Sequence, residues 1–207
     1  MKKILIFLFS LFLLSSPSVF ADDISDFQIE GISIGDSLLD YMTEDEILKE
    51  IEKNLDRYYY LKEPSKYAHI NLKKNNLEIY ARITIFIKNN SSNLYISDKN
   101  EKYTILSIAG EIDFIEDHDG CIQKRDEIEA ILSNMFPGIN KWEGKSNYRA
   151  DPSGKSFLEG TEFIFSSGGE IELTCANLEE NFRIKKNWSE GLGISIDTKE
   201  ISEWLNN

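Results

Sequence analysis

The chain has 207 residues, with 23 Lys and Arg against 36 Asp and Glu, a formal net charge of −13, two histidines and two cysteines. Such an acidic surface repels nucleic acid and anionic lipid, so neither is an expected partner. Two histidines exclude a three-histidine zinc centre, and the length suffices for one domain with its own core.

Met1-Lys2-Lys3 is a short basic start, and Ile4–Leu14 is apolar except for Ser10. That run is too short for a stable membrane span and fits a signal-peptide core. Pro17 breaks it, and Val19 and Ala21 occupy the −3 and −1 positions of a cleavage site. Residues 1–21 therefore read as a signal peptide and residues 22–207 as a single domain, exported to the periplasm or, alternatively, secreted. An uncleaved anchor is the competing reading. Past cleavage no membrane association is expected.

Phe27–Ile34 reads as a strand ending at Gly35. Thr43 and Glu46 form a capping box that opens a helix with Ile47, Leu48, Ile51 and Leu55 on one face. Tyr58–Tyr60 follow, with at least one ring expected on the surface. Ala68–Leu72 alternates as a half-buried strand with His69 on its polar side. Leu77–Ile87 and Tyr103–Phe114 are the strongest strand signals, with Ile79, Ala81, Ile83, Ile85 and Ile87, and then Leu106, Ile108, Gly110, Ile112 and Phe114, facing inward. A helix from about Cys121, capped by Asp119, carries Ile128, Ile131, Leu132 and Met135 and stops at Phe136-Pro137-Gly138. Pro137–Gly160 reads as a long loop. Phe157–Ser166 and Glu170–Leu178 form a hairpin about Ser167-Gly168-Gly169. Leu192–Ile196 is a last strand, and Asp197 caps a terminal helix bearing Ile201, Trp204 and Leu205. The order predicts an α+β fold: one antiparallel sheet, two longer helices on one face, and a short C-terminal helix.

Cys121 falls on the apolar stripe of its helix, and Cys175 alternates with Ile171 and Leu173 onto the buried face of its strand. Both sulfurs then point into one helix–sheet interface, and an oxidising compartment favours a disulfide over two buried thiols. No C-x-x-C spacing supports a redox dithiol.

Asp151-Pro152-Ser153-Gly154-Lys155-Ser156 contains Gly-Lys-Ser, but Arg149 stands where a phosphate-binding loop requires its first glycine. The same loop gathers Trp142, Lys145, Tyr148, Arg149, Asp151 and Lys155, cations and aromatics in an acidic chain, as a candidate binding surface. The competing reading is an irregular crossover whose charges pair with the acidic surface. Glu111, Asp113, Glu116, Asp117 and Asp119 do not match an EF-hand, because Ile115 and Asp126 occupy ligand positions. No metal or cofactor is expected.

Phe27–Leu38, Asp151–Ser156 and the spacing of Cys121 and Cys175 together resemble a family of uncharacterised exported proteins of AT-rich marine alphaproteobacteria. The resemblance runs through most of the mature chain. It implies a Gram-negative periplasmic setting and the same pair of cysteines, and it brings no activity. The expected function is a non-enzymatic binding or interaction module whose partner is another envelope protein or a small anionic ligand. The alternative is a periplasmic hydrolase using carboxylates such as Asp113, Asp117 and Asp151 as acid–base groups.

Overall fold

The computed structural model describes residues 24–55, 66–72, 77, 79–89 and 102–205. The signal-peptide reading and Tyr58–Tyr60 lie outside them. Helix α1 spans Glu44–Leu55, strand β1 Tyr67–Leu72, β2 Arg82–Lys88, β3 Ile105–Asp113, helix α2 His118–Met135, β4 Asn140–Asn147, β5 Phe157–Ile164, β6 Glu170–Asn177, helix α3 Glu180–Lys186, β7 Gly191–Asp197 and helix α4 Lys199–Leu205. The strands form one antiparallel sheet in the order β1-β2-β3-β7-β6-β5-β4. This is the α+β class expected. No described helix is long and apolar enough to cross a membrane.

Period-two alternation gives the sheet two unlike faces. Ile70, Ile83, Ile85, Ile108, Ile171, Leu173, Ile194 and Ile196 fill one main core, to which α1 contributes Ile47 and α2 contributes Leu132. Cys121 and Cys175 are bonded there, with Cα atoms 6.0 Å apart. On the opposite face, α4 covers one end through Ile201 and Trp204, packed on Tyr67, Phe86 and Leu106.

Several local expectations are corrected. Ile29–Ile32 is a tight turn closed by a two-residue bridge, because Glu30 and Gly31 adopt positive φ. The strand expected at Leu77 begins only at Arg82, leaving Ile79 exposed. Leu106 faces away from the main core because the register slips between Phe86 and Ile87, making Leu106 the extra residue of a bulge. The buried positions of α1 are Ile47, Glu50 and Asn54, while Leu48 and Leu55 are exposed. Its polar pair faces the sheet edge: Asn54 Nδ2 donates to the His69 carbonyl (2.9 Å) and to Glu50 (3.4 Å). His69 is buried against Phe86, not exposed. Asp117, not Asp119, caps α2 by accepting from Gly120 N–H at 3.0 Å, and Ile131 is exposed. Thr198, not Asp197, takes the Ile201 N–H at the start of α4. The expected long loop contains strand β4, and α3 was not anticipated.

Candidate functional site

The polar face of the sheet carries a groove of about 1030 Å³. Its floor is set by register: one rung runs Arg82, Glu111, Gly193, Thr174, and the next runs Asp113, Gly191, Ala176, Leu158. Small residues in the central strands keep this floor low. At Gly191 the small residue is obligatory. Its φ is +148°, and a Cβ there would run into the backbone of Ile112 and lie 2.7 Å from Phe114 N.

One wall is α1 and β1, with Lys53, His69 and Asn71. Asn71 Nδ2 donates to Asn54 Oδ1 at 3.2 Å, which fixes its amide. The other wall is aromatic. Tyr148, Phe182 and Trp188 meet edge to face, with centroids 5.5 to 6.2 Å apart. Burial pushes the Tyr148 hydroxyl pKa up, so the ring stays neutral. Asn187, in the left-handed conformation, ends α3 and turns Trp188 into this wall. Trp188 itself is 40% exposed.

The charges in the groove are largely committed. Arg82 pairs with Glu111 through two hydrogen bonds. Asp113 accepts from Ser189 Oγ at 2.5 Å. Buried Glu190 accepts from Glu116 N–H (2.5 Å) and Leu178 N–H (2.9 Å), and lies 3.9 Å from Arg183 Nε. Among the described residues no group of three or more His, Cys, Asp or Glu side chains could hold a metal ion.

Of the six binding residues expected from sequence, only Tyr148 lines this groove. Trp142 and Lys145 occupy β4, three positions apart and so on opposite faces. Lys145 pairs with Glu159 (3.1 Å) and caps the Phe157 ring at 3.6 Å. Arg149 and Lys155 stand exposed in the turn between β4 and β5. Asp151 is the buried organiser of that turn, accepting from the N–H and Oγ of both Ser153 and Ser156 at 2.7–3.0 Å. Desolvation opposes its charge, yet these four bonds prevail and hold its carboxyl well below the usual carboxylate range. The three carboxylates of the hydrolase reading are thus separately employed: Asp113 on Ser189, Asp117 as a helix cap, Asp151 within its turn. The groove residues the sequence did not reveal, such as Asn71, Thr174 and Gly193, are small or polar residues scattered over several strands. Their only common signal is that each stands next to buried core residues in its strand, as Thr174 does between Leu173 and Cys175.

Beside the groove lies an acidic ladder, with Glu162 opposite Glu172 and Glu170 opposite Asp197. Like charges placed directly across strands repel. Burial, then the charge of Glu170, raises the Glu162 pKa. Burial raises that of Asp197, against hydrogen bonds from Ser107 and Ser195. A carboxyl whose folded pKa is raised stabilises the fold below its unfolded pKa and loses that contribution as pH climbs through the folded value. Glu162→Gln is therefore expected to melt above the wild type at pH 7. The two melting curves should converge below about pH 4.3, the unfolded glutamate value. Thermal scans across this range check it, and equal melting temperatures at pH 7 would refute the ladder's cost.

No family model, curated protein or solved structure matches this chain. Fold and site together define a disulfide-stapled α+β domain with one polar, open sheet face.

Proposed function

We propose that this chain is an exported, non-enzymatic interaction module of the periplasm, and that it binds an extended segment of another envelope protein along the polar sheet groove. The observation that carries this reading is the character of the groove: open, broad and polar, with a floor of backbone and small side chains and one aromatic wall. Sites for small molecules are enclosed and mainly apolar. An extended chain, by contrast, can lay its polar groups on Asn71, Thr84 and Thr174 while an apolar side chain rests on Trp188. The disulfide supports an oxidising location, and the signal-like start of the sequence supports export.

Site-specific photo-crosslinkers at Thr174 and Trp188 are expected to capture one defined envelope protein in living cells. A probe at Lys49, on the outer side of α1, should not. Equal capture at Lys49, or none at the groove positions, would overturn the assignment.

A further inference from the structure

The two edges of the sheet are treated differently. At β1 the outward backbone is covered by α1, whose Asn54 satisfies the His69 carbonyl. At the opposite end β4 pairs, among the described residues, with β5 alone, and all its residues are exposed except half-buried Gly144. The hydrogen bond from Tyr148 N–H to Ser156 O (2.9 Å) fixes which groups of β4 face β5. By antiparallel alternation, the N–H and C=O of Lys141, Glu143, Lys145 and Asn147 point outward, and none of them pairs with another strand among the described residues.

We infer that β4 is a self-pairing edge: two copies of this chain join antiparallel about Gly144 and double the sheet. The charge pattern selects both the partner and the register. With Gly144 on the two-fold axis, each Glu143 stands opposite the second copy's Lys145, Lys141 opposite Asn147, and Trp142 opposite Ser146. Sliding the pairing one way sets Glu143 against Glu143 and Lys141 against Lys145. Sliding it the other way sets Lys145 against Lys145. Only the central register is complementary. The lysines that deter unrelated strands from this edge are matched by Glu143 of the second copy.

The axis itself is suited to close approach. Gly144 has no side chain to separate the edges, and the Trp142 ring already lies where a Cβ of Gly144 would be. Trp142 is 60% exposed in the single chain. In the pair, two such rings close over two facing glycines. In the single chain Lys141 is shared between half-buried Glu129 and exposed Glu143, at 2.7 Å from each, and Lys145 pairs with Glu159 (3.1 Å); Glu143 can therefore turn to the second copy while Lys141 keeps Glu129. An eight-residue edge buries less than a standard interface of about 1,200–2,000 Å², so the dimer is concentration-dependent. The two-fold axis stands perpendicular to the sheet and brings both grooves to the same side. The inference rests on β4 alone and holds whether or not the groove is the partner site.

Sedimentation of the full mature chain from micromolar to millimolar concentration is expected to show a monomer–dimer equilibrium. Amide exchange should show protection at Lys141, Glu143, Lys145 and Asn147 that rises with concentration. Glu143→Lys should weaken association at least about tenfold, because both cross-strand pairs become like-charged. Lys145→Glu should do the same, and an equimolar mixture of the two variants should recover a one-to-one heterodimer. Glu143→Lys alone keeps the test decisive if the second variant is unstable. A monomer at every concentration, or a dimer indifferent to Glu143→Lys, overturns the proposal.

Discussion

Replacing Cys121 and Cys175 together by alanine is expected to lower the stability of the domain by about 4 kcal/mol. In the chain-entropy model that figure follows from the length of the closed loop, whose ends are 54 residues apart in sequence. In a domain of this size each kcal/mol moves the melting temperature by roughly 2–4 °C, so a fall of about 8–16 °C should appear in calorimetry. The position of the bridge makes it hard to replace. Helix α2 has just two fully buried side chains, Cys121 near its start and Leu132 near its end. Ile128 and Met135 are only partly buried, and most of the remaining face is charged. Without the bridge, the first turns rest on the sheet through partly buried contacts: Ile122 against the core, His118 on the Phe157 ring at 5.1 Å and Arg125 near Glu159 at 3.8 Å. A double alanine variant that melts within 2 °C of the wild type would show that α2 docks without its covalent tether.

The second large effect is expected at Glu190. Its carboxylate joins three segments that meet at one end of the groove. It accepts from Glu116 N–H in the β3–α2 turn and from Leu178 N–H after β6, and it faces Arg183 of α3. Its own carbonyl accepts from Phe114 N–H at 3.0 Å. Glu116 is held at φ +58°, a left-handed conformation that a glutamate adopts only when its surroundings impose it. Arg183, in turn, reaches Glu116 Oε1 at 3.1 Å. Glu190→Ala removes the shared acceptor, strands two backbone N–H groups and leaves the guanidinium of Arg183 without its buried partner. A loss of about 3 kcal/mol is expected in urea unfolding. Glu190→Gln keeps one acceptor oxygen and should lose less. If alanine and glutamine variants unfold at the same urea midpoint as the wild type, Glu190 is not the knot described.

The isoleucines made most of the sheet legible. In β2, β3 and β7 they alternate with polar residues, and one wet face plus one dry face leaves that imprint on any antiparallel strand. The disulfide could be read for the same reason, since Cys121 and Cys175 each fall on an apolar stripe. Strand β4 left no imprint. Its sequence, Asn140–Asn147, is exposed on both faces except at half-buried Gly144, and an edge with so little burial has no hydrophobic period to detect. Gly144 and Lys145 consequently read as loop. In α1 the sequence points to Leu48 on the buried stripe, because Glu50 and Asn54 look like surface residues until the edge of β1 stands beside them.

The groove was illegible for a deeper reason. Thr84, Glu111, Gly193 and Thr174 are neighbours only because four strands come into register, and Tyr148, in the turn after β4, joins them beside the aromatic residues of α3 and its C-terminal turn. None of these residues carries a chemical pattern in its own segment. The class of fold, the core face of the inner strands and the cysteine pair were written in the order of residues, because hydrophobic burial is periodic along the chain. The groove, the acidic ladder, the Glu190 knot and the edge of β4 emerge only on folding, because each depends on which polar groups the assembled sheet brings together or leaves at its rim.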